Sequence, residues 1–263
     1  MVFAVALSLV VSAGPASKPL VIGETVTLTS KKLGGEARRI NIYRPPVDPK
    51  LALPLLLMLD GGLEEDFVHV AGLVQVGASN GTMKPFLLVG IENTERRRDL
   101  TGPTTNAEDK KVAPRVGGSE AFRAFIADEL LPWIESHQKV TKERAIIGES
   151  FAGLVVMETF VERSDLFTHF IAIDPSLWWS DASLVPRFAP MLHGAEGKTL
   201  FVAASNEPDL SKLVDQVFTA LSASAPPTLT WRVEKFPQED HGTVFHPAAL
   251  KAFRTLFAPP KAP

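Results

Sequence analysis

The sequence predicts an α/β fold in which a mainly parallel sheet is covered by helices on both faces. Short apolar runs of strand length alternate along the chain with segments of helical periodicity. Most of these runs are apolar at every position, as is typical of strands that are buried on both faces. The 263 residues are enough for one large α/β domain with a buried core.

The predicted strands fall into two groups. Residues 21–30 and 38–44 alternate polar and apolar side chains, which indicates an antiparallel pair. The continuous apolar runs are residues 53–59, 86–91, 145–147, 170–173 and 200–204. A last strand over residues 229–236 is more polar, and we expect it near an edge of the sheet.

Helical patterns occupy the gaps between these strands. Ser119 is predicted to cap a helix whose apolar positions run from Phe122 to Ile134. Another helix begins at Ser150, a third covers residues 210–221, and Pro247 suits the first turn of the last helix. Ligands of such sheets bind at the carboxyl ends of the strands, where the motifs below occur.

Composition excludes several classes of function. The formal net charge of −3, with no basic block longer than three residues, argues against nucleic-acid partners and against attraction to an anionic membrane. The chain has no cysteine, which excludes disulfides, thiolate catalysis and cysteine-ligated metals.

The N-terminus predicts export to the periplasm or the exterior. Residues 2–11 are apolar and small residues follow, a pattern that resembles a secretory signal without its usual basic start. The run is too short to span a membrane as a helix. A buried N-terminal strand in a cytoplasmic protein is the alternative. We therefore expect a signal peptide over residues 1–17, a catalytic domain over 18–258 and a flexible tail over 259–263.

The strongest motif lies at residues 146–153, where an apolar strand runs into a glycine, a serine and a helix. This is the context of a nucleophile elbow, and it makes Ser150 the candidate nucleophile. The usual pattern G-x-S-x-G is altered, since Ala152 replaces the last glycine and Gly153 follows. Both flanking positions stay small, as the tight turn requires. The alternative is a serine that caps a helix after a strand.

A serine hydroxyl needs a base, and His241 is the best candidate for it. It follows the last strand and obeys the chain order serine, acid, histidine. His246 competes, but its position before Pro247 favours a structural role. The acid is expected after the strand over residues 200–204, and we prefer Glu207 because Asp209 also suits a helix cap. Asp240 is expected to be solvated, and a Ser–His dyad without an acid stays open.

An oxyanion hole needs backbone N–H donors. One is expected from Phe151, directly after the nucleophile. The other is expected from the Asp60-Gly61-Gly62 loop, from Gly62 or its neighbour, because glycines allow close approach of the backbone to a substrate. An ordinary turn explains the same glycines equally simply.

The chain resembles the esterase branch of the α/β hydrolases, which includes siderophore trilactone, carbohydrate and feruloyl esterases. The matching motifs occur in order between about residue 56 and residue 257. They are residues 58–61, residues 90–94 with Arg96, Arg98, Asp99 and Leu100, residues 148–153, residues 175–179, and His241 with Thr243, His246 and Pro247. The family often has histidine before the nucleophile, where this chain has Glu149.

The resemblance implies an α/β-hydrolase fold and a Ser–His hydrolase that acts on a small-molecule ester without a metal or an organic cofactor. Arg96 and Arg98 are expected to shape the substrate pocket, with a structural ion-pair cluster as the alternative. Trp178 and Trp179 are expected to line or support the pocket wall, with plain core packing as the alternative. An acyltransferase with the same acyl-enzyme, and a catalytically silent binding domain, are the competing functions.

Overall fold

A computed structural model describes residues 17–259 of the chain. The predicted signal peptide therefore lies outside the described residues except for Ser17, and so does the predicted tail after Pro259. None of the helices in the described part is both long enough and apolar enough to cross a membrane.

The centre of the molecule is an eight-stranded sheet in the order β1-β2-β4-β3-β5-β6-β7-β8. The pairs β1–β2 and β2–β4 are antiparallel, and all other neighbouring pairs are parallel. The strands are β1 (Glu24–Ser30), β2 (Glu36–Tyr43), β3 (Leu53–Met58), β4 (Leu87–Ile91), β5 (Val140–Glu149), β6 (His169–Ile173), β7 (Thr199–Ala204) and β8 (Thr230–Lys235). The predicted α/β fold with a mainly parallel sheet is confirmed.

The strand β5 is much longer than the apolar run that predicted it. Its first half carries Lys142, Glu143 and Arg144 and is partly exposed, whereas Ala145 to Gly148 are buried. Charged side chains on a half-exposed strand interrupt the apolar pattern, so the sequence marks only the buried end. The more polar β8 lies at an edge of the sheet, as predicted.

Helices cover both faces of the sheet. They are α1 (Phe67–Ser79), α2 (Arg96–Asp99), α3 (Ala107–Val112), α4 (Ser119–Phe125), α5 (Leu131–His137), α6 (Phe151–Glu162), α7 (Trp179–Ala182), α8 (Val185–Met191), α9 (Pro208–Ser224) and α10 (Phe245–Leu256). Helices α1 and α10 share one buried cluster with Leu56 and Met58 of β3. Helices α4, α6, α8 and α9 share another with Leu55 and Leu57. The alternation along β3 is what separates the two layers of the core.

The helix predicted from Ser119 onward is divided. A π-helical turn over Ile126–Leu130 separates α4 from α5. Pro132 lacks a backbone N–H, so the normal hydrogen bond to the carbonyl four residues earlier cannot form there. Gly118, not Ser119, occupies the cap position of α4, and the Ser119 hydroxyl donates to Glu158 Oε2 at 3.0 Å.

Candidate active site

The sharp turn between β5 and α6 exposes Ser150. Its backbone has φ 59° and ψ −121°, a left-handed conformation that is costly for a residue with a side chain. Gly148 makes this turn possible, because a Cβ there would lie 2.6 Å from the carbonyl carbon of Ala152. Two backbone hydrogen bonds fix the turn to the end of β6: the Ser150 N–H donates to Ile173 O at 3.1 Å, and the Ser176 N–H donates to Ser150 O at 3.0 Å.

His241 lies in the loop between β8 and α10 and reaches the serine. Its Nε2 is 3.1 Å from Ser150 Oγ, and its Nδ1 is 2.7 Å from Asp174 Oδ2. The loop is held by Asp240, whose side chain accepts the N–H of Gly242 at 2.8 Å. The exposed Asp240 therefore shapes the turn and stays in solvent. His246 is exposed at the start of α10 and packs edge-on against His69.

The carboxylate on His241 is Asp174, which corrects the expectation of Glu207. Strands β5 and β6 are neighbours with Glu149 paired to Ile173, so the residues that follow them, Ser150 and Asp174, lie side by side. Asp174 is fully buried, and Ser205 of the next strand end donates to it through its N–H at 3.0 Å and its hydroxyl at 2.6 Å. Glu207 is exposed at the start of α9.

The position of Asp174 obeys the same chain order that favoured Glu207, because it falls between the serine and the histidine. The signal for it is local: Asp174 directly follows the apolar run that forms β6. The expected acid, Glu207, follows the next strand, β7. Asp209 lies in the first turn of α9.

The charges of His241 and Asp174 stabilise each other. The hydrogen bond that His241 donates to Asp174 raises the pKa of His241, and the carboxylates of Glu149 and Glu207 add to this effect. Burial alone opposes ionisation of Asp174, but hydrogen bonds from His241 and Ser205 outweigh it and hold the pKa of this carboxyl below its usual value. The arrangement therefore suits a proton transfer from Ser150 to His241, with Asp174 balancing the imidazolium charge.

The two predicted oxyanion donors differ in their surroundings. Phe151 is the first residue of α6, where backbone N–H groups have no partner within the helix, and its side chain lines the cavity beside Ser150. The N–H of Gly62 donates instead to Glu65 Oε2 at 2.6 Å. The Gly62 amide is thus already engaged, which disagrees with its predicted role.

A cavity of about 720 Å³ opens from Ser150 and His241. Apolar and aromatic side chains form part of its wall, and two exposed carboxylates also line it. The lining residues are Val112, Ser150, Phe151, Ser176, Trp178, Glu207, Asp209, Leu210 and His241. Its size and mixed lining suit a small organic ester.

The predicted pocket tryptophans have separate roles. Trp178 lines the cavity, in agreement with its expected position. Trp179 is buried, donates its indole N–H to Gly102 O at 3.0 Å and packs edge-on against Phe151. Trp179 therefore supports the cavity wall by packing against Phe151, and does not line the cavity itself.

Arg96 and Arg98 are each held in ion pairs, which agrees with the structural alternative that the sequence left open. Arg96 forms a two-pronged pair with Asp60, with both N···O distances at 2.7 Å. Arg98 pairs with Asp99 at 2.6 Å and with Glu36 at 2.8 Å. Because each guanidinium already has a carboxylate partner, these contacts favour a structural role for both side chains. Among the described residues, no group of three or more histidine, aspartate or glutamate side chains is arranged to hold a metal ion.

Comparison with known proteins agrees with this geometry. The chain is 28% identical over 186 residues to the ferri-bacillibactin esterase of Bacillus subtilis, a match that spans 63% of this chain and 62% of that protein, less than two thirds of its length. An IroE-like serine hydrolase from Shewanella oneidensis is 30% identical, with a TM-score of 0.80 over 89% of this chain and 80% of its own.

A third comparison concerns the fold alone. The BES protein from Bacillus cereus is 21% identical and has a TM-score of 0.81 over 92% of this chain and 98% of its own. The family model described as "Putative esterase" matches residues 30–223, more than half of the 263 residues. The chain therefore belongs to this esterase family and has the α/β-hydrolase fold of its structural neighbours.

Proposed function

We propose that this protein is a serine hydrolase that cleaves carboxylic esters through an acyl-enzyme. The observation that carries the proposal is the unbroken chain of hydrogen bonds from Asp174 through His241 to Ser150, at the mouth of a cavity of suitable size. Its family relatives named above are an esterase and a serine hydrolase, which supports the same reaction class.

The reaction follows from the geometry. Ser150 Oγ attacks the ester carbonyl carbon while His241 Nε2 takes its proton, and Asp174 stabilises the imidazolium that results. The backbone N–H of Phe151, at the positive end of α6, is proposed to stabilise the negative carbonyl oxygen. The alcohol leaves with the proton from His241. Water then repeats the sequence at the acyl carbon, releasing the carboxylic acid and restoring Ser150.

The substrate is proposed to be a small-molecule ester, and the name of the Bacillus subtilis relative makes ferri-bacillibactin one compound to test. A panel should combine this compound with p-nitrophenyl and feruloyl esters. Export in the native host stays a prediction from residues 2–11.

The decisive experiment removes the nucleophile. Ser150→Ala is expected to lower kcat roughly 10⁶-fold, as in other triads, and to abolish covalent labelling by a fluorophosphonate. The control is Ser136→Ala, at an exposed serine near the end of α5, which should label and turn over like the wild-type protein. Turnover by Ser150→Ala at the wild-type rate would disprove the proposal.

A further inference from the structure

A second serine hydroxyl stands beside the nucleophile. Ser176 Oγ lies 3.4 Å from Ser150 Oγ, and Ser176 is only 2% exposed although it lines the cavity. It belongs to the segment 175–179, which the mechanism above does not use. The Ser176 hydroxyl is therefore within hydrogen-bond reach of the oxygen that reacts.

The backbone holds Ser176 in this position. Its N–H donates to Ser150 O at 3.0 Å, and its carbonyl accepts the N–H of Trp179 at 3.1 Å. Two residues earlier, the same segment carries Asp174, whose carboxylate orients His241. The hydroxyl of Ser176 is therefore fixed relative to both the nucleophile and the base.

The direction of the hydrogen bond between the two serines follows from the triad. Asp174 accepts the Nδ1–H of His241, which leaves Nε2 as an acceptor for the Ser150 proton. Because Ser150 Oγ already donates its proton to His241, it can only accept in its hydrogen bond with Ser176. The Ser176 hydroxyl is therefore the donor. At 3.4 Å the contact is weak in the free protein, and such contacts commonly shorten during the reaction.

The strength of this bond changes through the catalytic cycle. In the acyl-enzyme, Ser150 Oγ is the alkoxy oxygen of an ester, which is a poor acceptor. When the acyl group leaves, the same oxygen gains negative charge, and hydrogen bonds to charged acceptors are the strong ones. In the free protein Oγ is already a hydroxyl and a fair acceptor. Donation to Oγ therefore favours deacylation much more than acylation.

We propose that Ser176 is a catalytic residue of deacylation, whose hydroxyl donates to Ser150 Oγ as the acyl-enzyme breaks down. This rests on the proposed esterase function. Water adds to the acyl carbon and gives a proton to His241. The bond between the acyl carbon and Oγ then breaks, Oγ keeps the electron pair and receives that proton, and the carboxylic acid departs. Ser176 supports the charge on Oγ and keeps its own proton.

The test separates the two half-reactions. With a p-nitrophenyl ester, stopped-flow measurement gives the acylation rate from the burst of nitrophenolate and the deacylation rate from the steady state. Ser176→Ala is expected to slow deacylation about 10- to 100-fold, the range for a hydrogen bond to a charged group, while acylation changes less than about threefold. Acyl-enzyme should accumulate and be visible by mass spectrometry of the intact protein.

Two further variants control for general effects of losing a buried hydroxyl and for misfolding. Ser30 lies at the end of strand β1, on the far edge of the sheet, and its buried hydroxyl donates to Glu129. Ser30→Ala removes this hydroxyl and should leave both rates unchanged. If Ser176→Ala fails to fold, Ser176→Cys fills the same space with a weaker donor and should show the same selective slowing.

Three results would overturn the proposal: an equal fall of both rates, which indicates that Ser176 only positions Ser150; a fall in acylation alone; or no change in either. An inert wild-type protein would instead refute the esterase function itself.

Discussion

At the scale of single residues, the orientation of His241 depends on Asp174. This carboxylate is fully buried and accepts hydrogen bonds from the imidazole and from both the N–H and the hydroxyl of Ser205. Glu207 is exposed and contributes through its charge across the cavity. The two carboxylates therefore differ in what their removal should do.

Asp174→Asn should lower kcat by about 10⁴-fold at neutral pH, because the amide favours the wrong imidazole tautomer. Glu207→Gln should change kcat by less than about tenfold, since only a screened charge is lost. Kinetics of both variants, with thermal melts to verify folding, check the assignment. A larger loss in Glu207→Gln would return the role of acid to that residue.

Glu149, directly before the nucleophile, is electrostatically coupled to His241. Burial raises the pKa of Glu149 to about 7, and the charges of Asp66, Asp174 and Asp60 add to this, whereas that of His241 opposes it. Its carboxylate in turn raises the pKa of His241. Activity needs neutral His241, so it falls as the pH drops through the pKa of that imidazole.

Glu149→Gln removes an anion that stabilises the imidazolium. The pKa of His241 should fall, and the acid limb of the profile of kcat/KM against pH should move to lower pH. The measurement is that profile between about pH 4 and 9 for both proteins, a range that brackets ordinary imidazole and carboxylate titrations. An unmoved acid limb, or a move to higher pH, would contradict the coupling.

At the scale of elements, the elbow works because β5 and α6 approach each other closely at Gly148. A Cβ at this position would lie 2.6 Å from the backbone of Ala152 and 2.7 Å from its Cβ. Neither atom can move without displacing the start of α6 and, with it, Ser150. Gly72 offers a contrast, because it is exposed within α1 and a Cβ there meets nothing within 4 Å.

Gly148→Ala should destabilise the protein by about 1–3 kcal/mol through overpacking and should reduce activity as the elbow shifts. Gly72→Ala should stabilise it by about 1 kcal/mol, because alanine is the better helix former and no contact opposes it. Urea denaturation measures both changes. Equal effects of the two substitutions would show that the close approach at the elbow is not what requires glycine.

At the scale of the whole molecule, a buried ion pair joins the antiparallel strands to the parallel part of the sheet. Arg38 on β2 is 0% exposed and pairs at 2.6 Å with Asp99, which is 1% exposed and belongs to α2, after β4. Asp99 also pairs with Arg98, which in turn pairs with Glu36, the first residue of β2. The cluster thus ties the loop after β4 to the neighbouring strand.

Asp99→Asn should destabilise the protein by about 3–5 kcal/mol, because the buried Arg38 charge then keeps only its longer pair with Glu36 at 3.4 Å. The control, Asp215→Asn, breaks an exposed pair with Lys235 and should cost less than about 1 kcal/mol. Urea denaturation of both variants gives the comparison. A loss for Asp99→Asn as small as that of the control would mean that Glu36 or solvent compensates the Arg38 charge.

Local patterns in the sequence were enough to predict the α/β fold, the elbow at Ser150 and the loop that carries His241. Buried strands are apolar throughout, and a tight strand-to-helix turn requires small residues, so both features are visible within a few neighbouring residues. The first half of β5 was missed because its charged side chains hide a strand that only its neighbours in the sheet stabilise.

The partner of His241 was decided by the tertiary structure alone. Chain order allowed a carboxylate after either β6 or β7, and only the pairing of Glu149 with Ile173 brings Asp174 beside Ser150. The engagement of the Gly62 amide by Glu65, and the contact between Ser176 and Ser150, are likewise distances between segments. The order of strands in a sheet is a long-range property, and a local pattern of residues carries no measure of it.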